Sequence, residues 1–220
     1  MSNLLRIGVL ASGSGTNLQA IIDRCQDGSL AAEIAVVITN NPGAGALDRA
    51  SAAGISTLCI NHRDFTERED FDNAVVKALR DAEVELVVLA GFMRIITQTF
   101  IDAFPDRVIN IHPALLPSFP GLNVQQQAID YGARFSGCTV HFVDGGVDTG
   151  PIILQAVVPI MPGDTAENLA ARILEQEHKA YPRAIQLISE GRVHVNGRQV
   201  SIVPACQTKS AALINPALQG

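Results

Sequence analysis

Apolar residues in the first two-thirds of the chain alternate between two textures. Short β-branched runs at residues 5–11, 33–39, 56–60, 86–90 and 108–111 are separated by stretches whose apolar positions recur at helical spacing. Leu18, Ile21, Ile22 and Cys25 stand at i, i+3, i+4 and i+7, the stripe of a helix lying on a sheet. Two further helices are expected, over 44–53 with Gly54 as C-cap and over 68–82. Strand, helix, strand in repeated order is the rhythm of βαβ units. It predicts an α/β fold: a Rossmann-like, mostly parallel twisted sheet flanked by helices.

The texture changes after Pro113. Pro113, Pro117 and Pro120 fall within eight residues, which excludes regular helix or central strand and predicts a surface loop near a site. Strand patterns return at 138–143 and 152–159, and a long amphipathic helix follows over 165–190, started by Thr165 as a cap. Asn196-Gly197 supplies the positive φ angles of a two-residue turn, predicting a small hairpin over 193–200. From Pro204 onward Ala, Ser, Gln, Asn and Pro recur without period. No linker or internal repeat divides what precedes, so one domain is expected over 1–203 and a loosely ordered tail over 204–220.

Composition narrows the class. With 47% of 220 residues hydrophobic and 17% charged, the chain can bury a large core without disulfide staples. The 16 Lys+Arg against 22 Asp+Glu leave a net charge of −6, the wrong sign for a partner held through its phosphate backbone, so no nucleic acid is expected. A small anionic ligand would have to be held by local donors against a mildly repulsive field. Cys25, Cys59, Cys138 and Cys206 show no Cys-x-x-Cys pair and no His at ligand spacing, which fits a reducing cytosol and no metal site. The start lacks the pattern of a signal peptide, and no apolar run approaches the roughly 20 residues that cross a bilayer. A cytoplasmic protein with no membrane partner is expected.

The first strand runs straight into Ala11-Ser12-Gly13-Ser14-Gly15-Thr16-Asn17 and then the first helix. Glycines let backbone N–H groups face a ligand, and the helix N-terminus adds partial positive charge. The dinucleotide fingerprint is incomplete, because Leu18 stands at its last glycine, and the Walker lysine is missing. The second strand ends in Thr39-Asn40-Asn41, without the acidic residue that would bind a ribose of NAD. One terminal phosphate held by Gly15, Thr16 and Asn17 fits the loop. The alternative is a plain strand-to-helix turn capped by Thr16 or Asn17.

Asn110 and His112 flank Ile111 at the end of a short strand, so both side chains leave the same face, at the edge where open α/β sheets bind ligands. The loop Asp144-Gly145-Gly146-Val147-Asp148-Thr149-Gly150 lacks the ligand spacing and terminal Glu of a calcium loop. One of its carboxylates can instead meet His112 and favour the imidazolium. No Ser or Cys occupies a nucleophile-elbow sequence. An amide donor, an acid and an anion cradle suit stabilising an oxyanion formed when one bound substrate attacks a carbonyl of another.

These motifs together resemble the glycinamide ribonucleotide formyltransferases, the folate-dependent transformylases of purine biosynthesis. The resemblance rests on Val9-Leu10-Ala11-Ser12-Gly13-Ser14-Gly15-Thr16-Asn17-Leu18, on Leu89-Ala90-Gly91-Phe92-Met93-Arg94-Ile95, and on Asn110-Ile111-His112-Pro113-Ala114-Leu115-Leu116-Pro117. Thr139-Val140-His141-Phe142-Val143 leading to Asp148-Thr149-Gly150, and Gln176-Glu177-His178 with Tyr181-Pro182, extend it to about residue 200.

It implies transfer of the formyl group of 10-formyltetrahydrofolate to the amine of glycinamide ribonucleotide, without a metal. It places the ribonucleotide phosphate on Gly15, Thr16 and Asn17 and its ribose on Glu177. The folate falls to Met93, Arg94, Ile95, Ile96, Asn110, Val143 and Asp144, with Arg68 toward the benzoylglutamate end. Asn110 and His112 would stabilise the tetrahedral oxyanion, while Asp148 keeps His112 protonated and orders a proton-relaying water. Leu174 and Asn123 depart from the family, where a polar residue and a histidine are common. His141 is expected to be a satisfied core histidine or a support for the site. The protein would be a monomer or homodimer. Rival readings are a 10-formyltetrahydrofolate hydrolase, a formyltransferase of another amine, and a non-catalytic sugar-phosphate-binding protein.

Overall fold

The alternating runs become β1 (Leu5–Ala11), β2 (Ala32–Thr39), β3 (Thr57–Cys59), β4 (Leu86–Leu89) and β5 (Val108–His112), all parallel. Between them lie α1 (Thr16–Gln26), α2 (Gly45–Ala52), α3 (Arg68–Asp81) and α4 (Gln98–Ala103). The computed structural model describes residues 4–205 and 213–215. After β5 come α5 (Val124–Tyr131), β6 (Phe135–Phe142), β7 (Ile152–Pro159), α6 (Ala166–Ser189) and the hairpin β8 (Val193–Asn196) and β9 (Gln199–Ile202). The sheet order is β3-β2-β1-β4-β5-β6-β7, with β6 antiparallel to β5 and β7 antiparallel to β6.

Strand residues feed the two faces by turns, as a period of two requires. Ile7, Val9, Leu86 and Val88 enter a core closed by Leu18, Ile21, Leu169, Ile173 and Ile185 of α1 and α6. Leu10, Val87 and Leu89 enter a second core beneath Phe71, Val75, Leu79 and Phe100 of α3 and α4. Each such side chain, fully buried, contributes about 1.5–3 kcal/mol of transfer free energy.

The predicted strand at 138–143 begins earlier, at Phe135, because β7 pairs with it along its whole length. The predicted strand at 56–60 shrinks to three residues. Two helices lacked sequence signals. α4 is only six residues long, and α5 starts from Asn123 in the left-handed region with no side-chain cap. α6 matches its expectation: Thr165 Oγ1 accepts the Asn168 N–H at 3.3 Å. Ahead of it, the Arg172 guanidinium donates to both oxygens of Asp164 at 2.7 and 2.9 Å, holding that carboxyl down at about 2.

The Tyr181 hydroxyl, deep in the sheet-facing side of α6, lies 2.9 Å from Leu89 O and 3.1 Å from Ile109 O. It shares one proton between a carbonyl at the end of β4 and one near the start of β5. Of the expected tail, Pro204, Ala205 and 213–215 are described; 206–212 and 216–220 lie outside the described residues. Asn215 Nδ2 donates to Arg134 O at 2.6 Å and Ile160 O at 2.9 Å, so that point of the tail is tied to the body.

Candidate active site

The chain leaves β1 for β2 on one side and later returns to β4 on the other, so the border of β1 and β4 is the switch point of the sheet, the place outside whose carboxyl ends open α/β sheets bind ligands. β5 ends beside them and delivers Asn110 and His112.

Gly15 is the N-cap of α1, at φ +73°, and a Cβ there would lie 2.8 Å from Ala46 Cα of α2. Only glycine fits both the angle and the gap. The carbonyls of the loop are taken: Ala46 N–H donates to Gly13 O at 3.1 Å and Arg49 Nε to Ser14 O at 2.7 Å. No side chain caps α1 and no acidic residue lies in its first turn. The turn capped by Thr16 or Asn17 is therefore not what forms. Asn17 instead donates through Nδ2 to Glu177 Oε2 at 2.7 Å, across 160 residues of sequence, and its buried Oδ1 has no protein partner. Burial raises the Glu177 carboxyl above its ordinary range, partly offset by the Asn17 amide.

Asn110 lies opposite His141 in the β5–β6 pairing, and His112 lies opposite Thr139. His141 is 2% exposed, and burial lowers its pKa. Its Nδ1 bonds to Phe142 O at 2.7 Å, which makes Nε2 the acceptor for Asn110 Nδ2 at 3.3 Å. One of the two amide hydrogens of Asn110 is thereby fixed and the other left for a ligand.

His112, 4% exposed, has an acceptor at each nitrogen: Phe119 O at 2.8 Å from Nε2 and Asp148 Oδ2 at 3.3 Å from Nδ1. Asp148 sits at φ +55°, and the same Oδ2 accepts the Gly121 N–H at 2.9 Å. Its Oδ1 is 3.8 Å from His141 Nε2. Of the two carboxylates in the loop, Asp148 is the one that meets His112. Asp144 folds its own loop, accepting from Gly146 N–H at 3.1 Å and Thr149 Oγ1 at 2.5 Å. Among the described residues no group of three or more His, Cys, Asp or Glu is placed to hold a metal ion.

The 91–96 loop carries Met93 and Ile95 outward, 69% and 62% exposed, while Ile96 is buried. Arg94 lies over the Phe71 ring at 5.4 Å from its centroid. Arg68, one turn before Phe71 on α3, is exposed. Val143 follows β6 and donates its N–H to Val108 O at 2.9 Å.

Residues 5–185 match the model of the formyl transferase family. The chain belongs to that family. This formyl transferase is 45% identical over 190 residues to the phosphoribosylglycinamide formyltransferase of Haemophilus influenzae, covering 86% of this chain and 90% of that one. It is 52% identical over 188 residues to the trifunctional purine biosynthetic protein adenosine-3 of Drosophila pseudoobscura pseudoobscura. That match covers 84% of this chain but only 14% of the relative's length. In structure it resembles glycinamide ribonucleotide transformylase 1 from Symbiobacterium toebii, with TM-score 0.90 and 50% identity, covering 92% of this chain and 95% of that one.

The formyl transferase fold thus gathers Asn110, His112 and Asp148 at one point and joins Asn17 to Glu177 beside it. Leu174, one turn before Glu177, is half-buried, and Asn123 is exposed at the start of α5. Sequence reading missed how Thr139 anchors the proline-rich loop: its Oγ1 donates to Ala114 O at 2.7 Å and accepts the Leu116 N–H at 3.0 Å. A threonine on a strand carries no local signal of that role. His141 was visible as a polar residue in an apolar strand, but its partner Asn110 follows only from the register.

Proposed function

We propose that this formyl transferase transfers the formyl group of 10-formyltetrahydrofolate to the amine of glycinamide ribonucleotide, giving formylglycinamide ribonucleotide and tetrahydrofolate in purine biosynthesis in the cytoplasm. The observation that carries the reading is that Asp148 lies 3.3 Å from His112 Nδ1 while Asn110 and Asp148 both approach His141 Nε2, at 3.3 and 3.8 Å, in a chain whose α1 starts without a side-chain cap.

The phosphate of the acceptor rests on the free N–H groups of Gly15, Thr16 and Asn17, and Glu177 takes a ribose hydroxyl. The folate lies along the backbone of Met93, Arg94, Ile95 and Ile96, with Val143 and Asp144 bordering it and Arg68 meeting its negative end. The acceptor amine attacks the formyl carbon, forming the new C–N bond and pushing an electron pair onto oxygen. The free Nδ2–H of Asn110 and the Nε2–H of His112 receive that oxyanion, which as a charged acceptor displaces the neutral Phe119 carbonyl. Collapse breaks the bond to the folate nitrogen. The amine's proton reaches that nitrogen through a water ordered by Asp148, whose charge holds His112 in its donating form.

Every side chain in this account lies within 1–203, which supports one catalytic domain there; it would act as a monomer or within a homodimer. Mixing the protein with both substrates and following tetrahydrofolate release tests the reading, with one release per acceptor formylated expected. Release without the acceptor would make it a hydrolase. Binding of the ribonucleotide without release would make it a sugar-phosphate-binding protein.

A further inference from the structure

Ser12 stands three residues before Gly15, at the end of β1, and none of the roles above uses it. Its N–H donates to Gly91 O at 3.0 Å, continuing the β1–β4 pairing past the strand ends. Its hydroxyl donates to Asn40 Oδ1 at 2.6 Å and accepts the Met93 N–H at 2.8 Å. A hydroxyl has one proton, and Asn40, itself buried, claims it, which turns a lone pair toward Met93. Asn40 is steadied in turn by His62, whose Nδ1 lies 3.0 Å from Asn40 O and 3.2 Å from Asn40 Nδ2. At its far end the same loop is held by Asp72 Oδ2, which accepts the Thr97 N–H at 2.6 Å.

We propose that Ser12 is a positioning residue for formyl transfer: its hydroxyl ties the 91–96 loop to the strand that carries the Gly15 loop, fixing the spacing between the donor and acceptor half-sites. The inference rests on the reading in which 91–96 binds the folate and Gly15, Thr16 and Asn17 bind the phosphate. The Met93 N–H is at an exposed position, so water can replace its acceptor when Ser12 is truncated and the loop is released. Asn40 Oδ1, in a buried residue, loses its donor in the same variant, so Ser12→Ala also carries a modest cost in stability, which Ser12→Thr avoids.

The test compares Ser12→Ala and Ser12→Thr with the unchanged protein. Losing one neutral hydrogen bond should raise the KM for 10-formyltetrahydrofolate about five- to tenfold. The KM for glycinamide ribonucleotide should stay within about twofold. Ser12→Thr, which keeps the hydroxyl, should restore most of the difference. In the ligand-free protein, hydrogen exchange of the Met93 amide should speed up in Ser12→Ala and not in Ser12→Thr. A folate KM unchanged in Ser12→Ala overturns the inference, as does an equal rise in both KM values together with a fall in Tm, or a Met93 amide that exchanges no faster. Absence of turnover in the unchanged protein would instead sink the assigned function and this inference with it.

Discussion

Asp148→Asn separates charge from hydrogen bonding at the centre of the site. Asp148 Oδ2 accepts the Gly121 N–H at 2.9 Å and lies 3.3 Å from His112 Nδ1, so an asparagine with its oxygen in that place keeps both contacts. Its amide nitrogen would then face His141 Nε2, where Asp148 Oδ1 now lies 3.8 Å away. What disappears is the negative charge that, in the proposed mechanism, faces a charged His112 ring. At 3.3 Å and an effective dielectric of about 20 that attraction is about 5 kcal/mol, of which desolvation of the pair takes back a part. A loss of about 2.7 kcal/mol of transition-state stabilisation already corresponds to about 100-fold in kcat. We therefore expect turnover to fall at least about 100-fold, measured as acceptor-dependent tetrahydrofolate release. The circular dichroism spectrum and the affinity for glycinamide ribonucleotide should change little. Turnover within threefold of the unchanged protein, with normal folding, would refute the reasoning, because the site would then work without the charge.

Three further outcomes follow from the geometry. Gly15→Ala forces a Cβ to within 2.8 Å of Ala46 Cα at φ +73°, and should raise the KM for glycinamide ribonucleotide about tenfold or more while lowering Tm; an unchanged KM would count against the phosphate cradle. Tyr181→Phe leaves Leu89 O and Ile109 O without their shared donor, a cost of about 1–3 kcal/mol, which thermal unfolding should show as a Tm lower by several degrees. The pKa of His141 is depressed by burial, so the native state resists its protonation. The stability it contributes is complete above the unfolded value near 6.5 and is lost as pH falls below it toward the depressed folded pKa. Denaturant titrations between pH 7.5 and 5 should therefore show stability falling with acid, and His141→Gln should flatten that slope; parallel slopes would contradict the assignment.

Much of this molecule is local physics. The short β-branched runs, such as those at 5–11 and 152–159, and the helical stripe from Leu18 to Cys25 act within a few residues, so the strands and α1 are legible from sequence. Asn110 and His112 share a face for the same reason. The resemblance to the formyltransferases named the chemistry, and the family match agrees with it. Short helices without caps, such as α4 and α5, escape because what stabilises them is packing against distant elements. Register is also decided in three dimensions. Only the antiparallel pairing of β5 with β6 sets His141 beside Asn110, and only the return of the 144–150 loop chooses Asp148 over Asp144 as the partner of His112. The contact of Asn17 with Glu177 joins two helices far apart in the chain, and the Ser12 tie to Met93 joins two loops that meet because β1 and β4 are neighbours. Periodicity tells which residues face inward, whereas which of them meet depends on the closure of the whole sheet, because contacts at long sequence separation are fixed by topology and by no local preference.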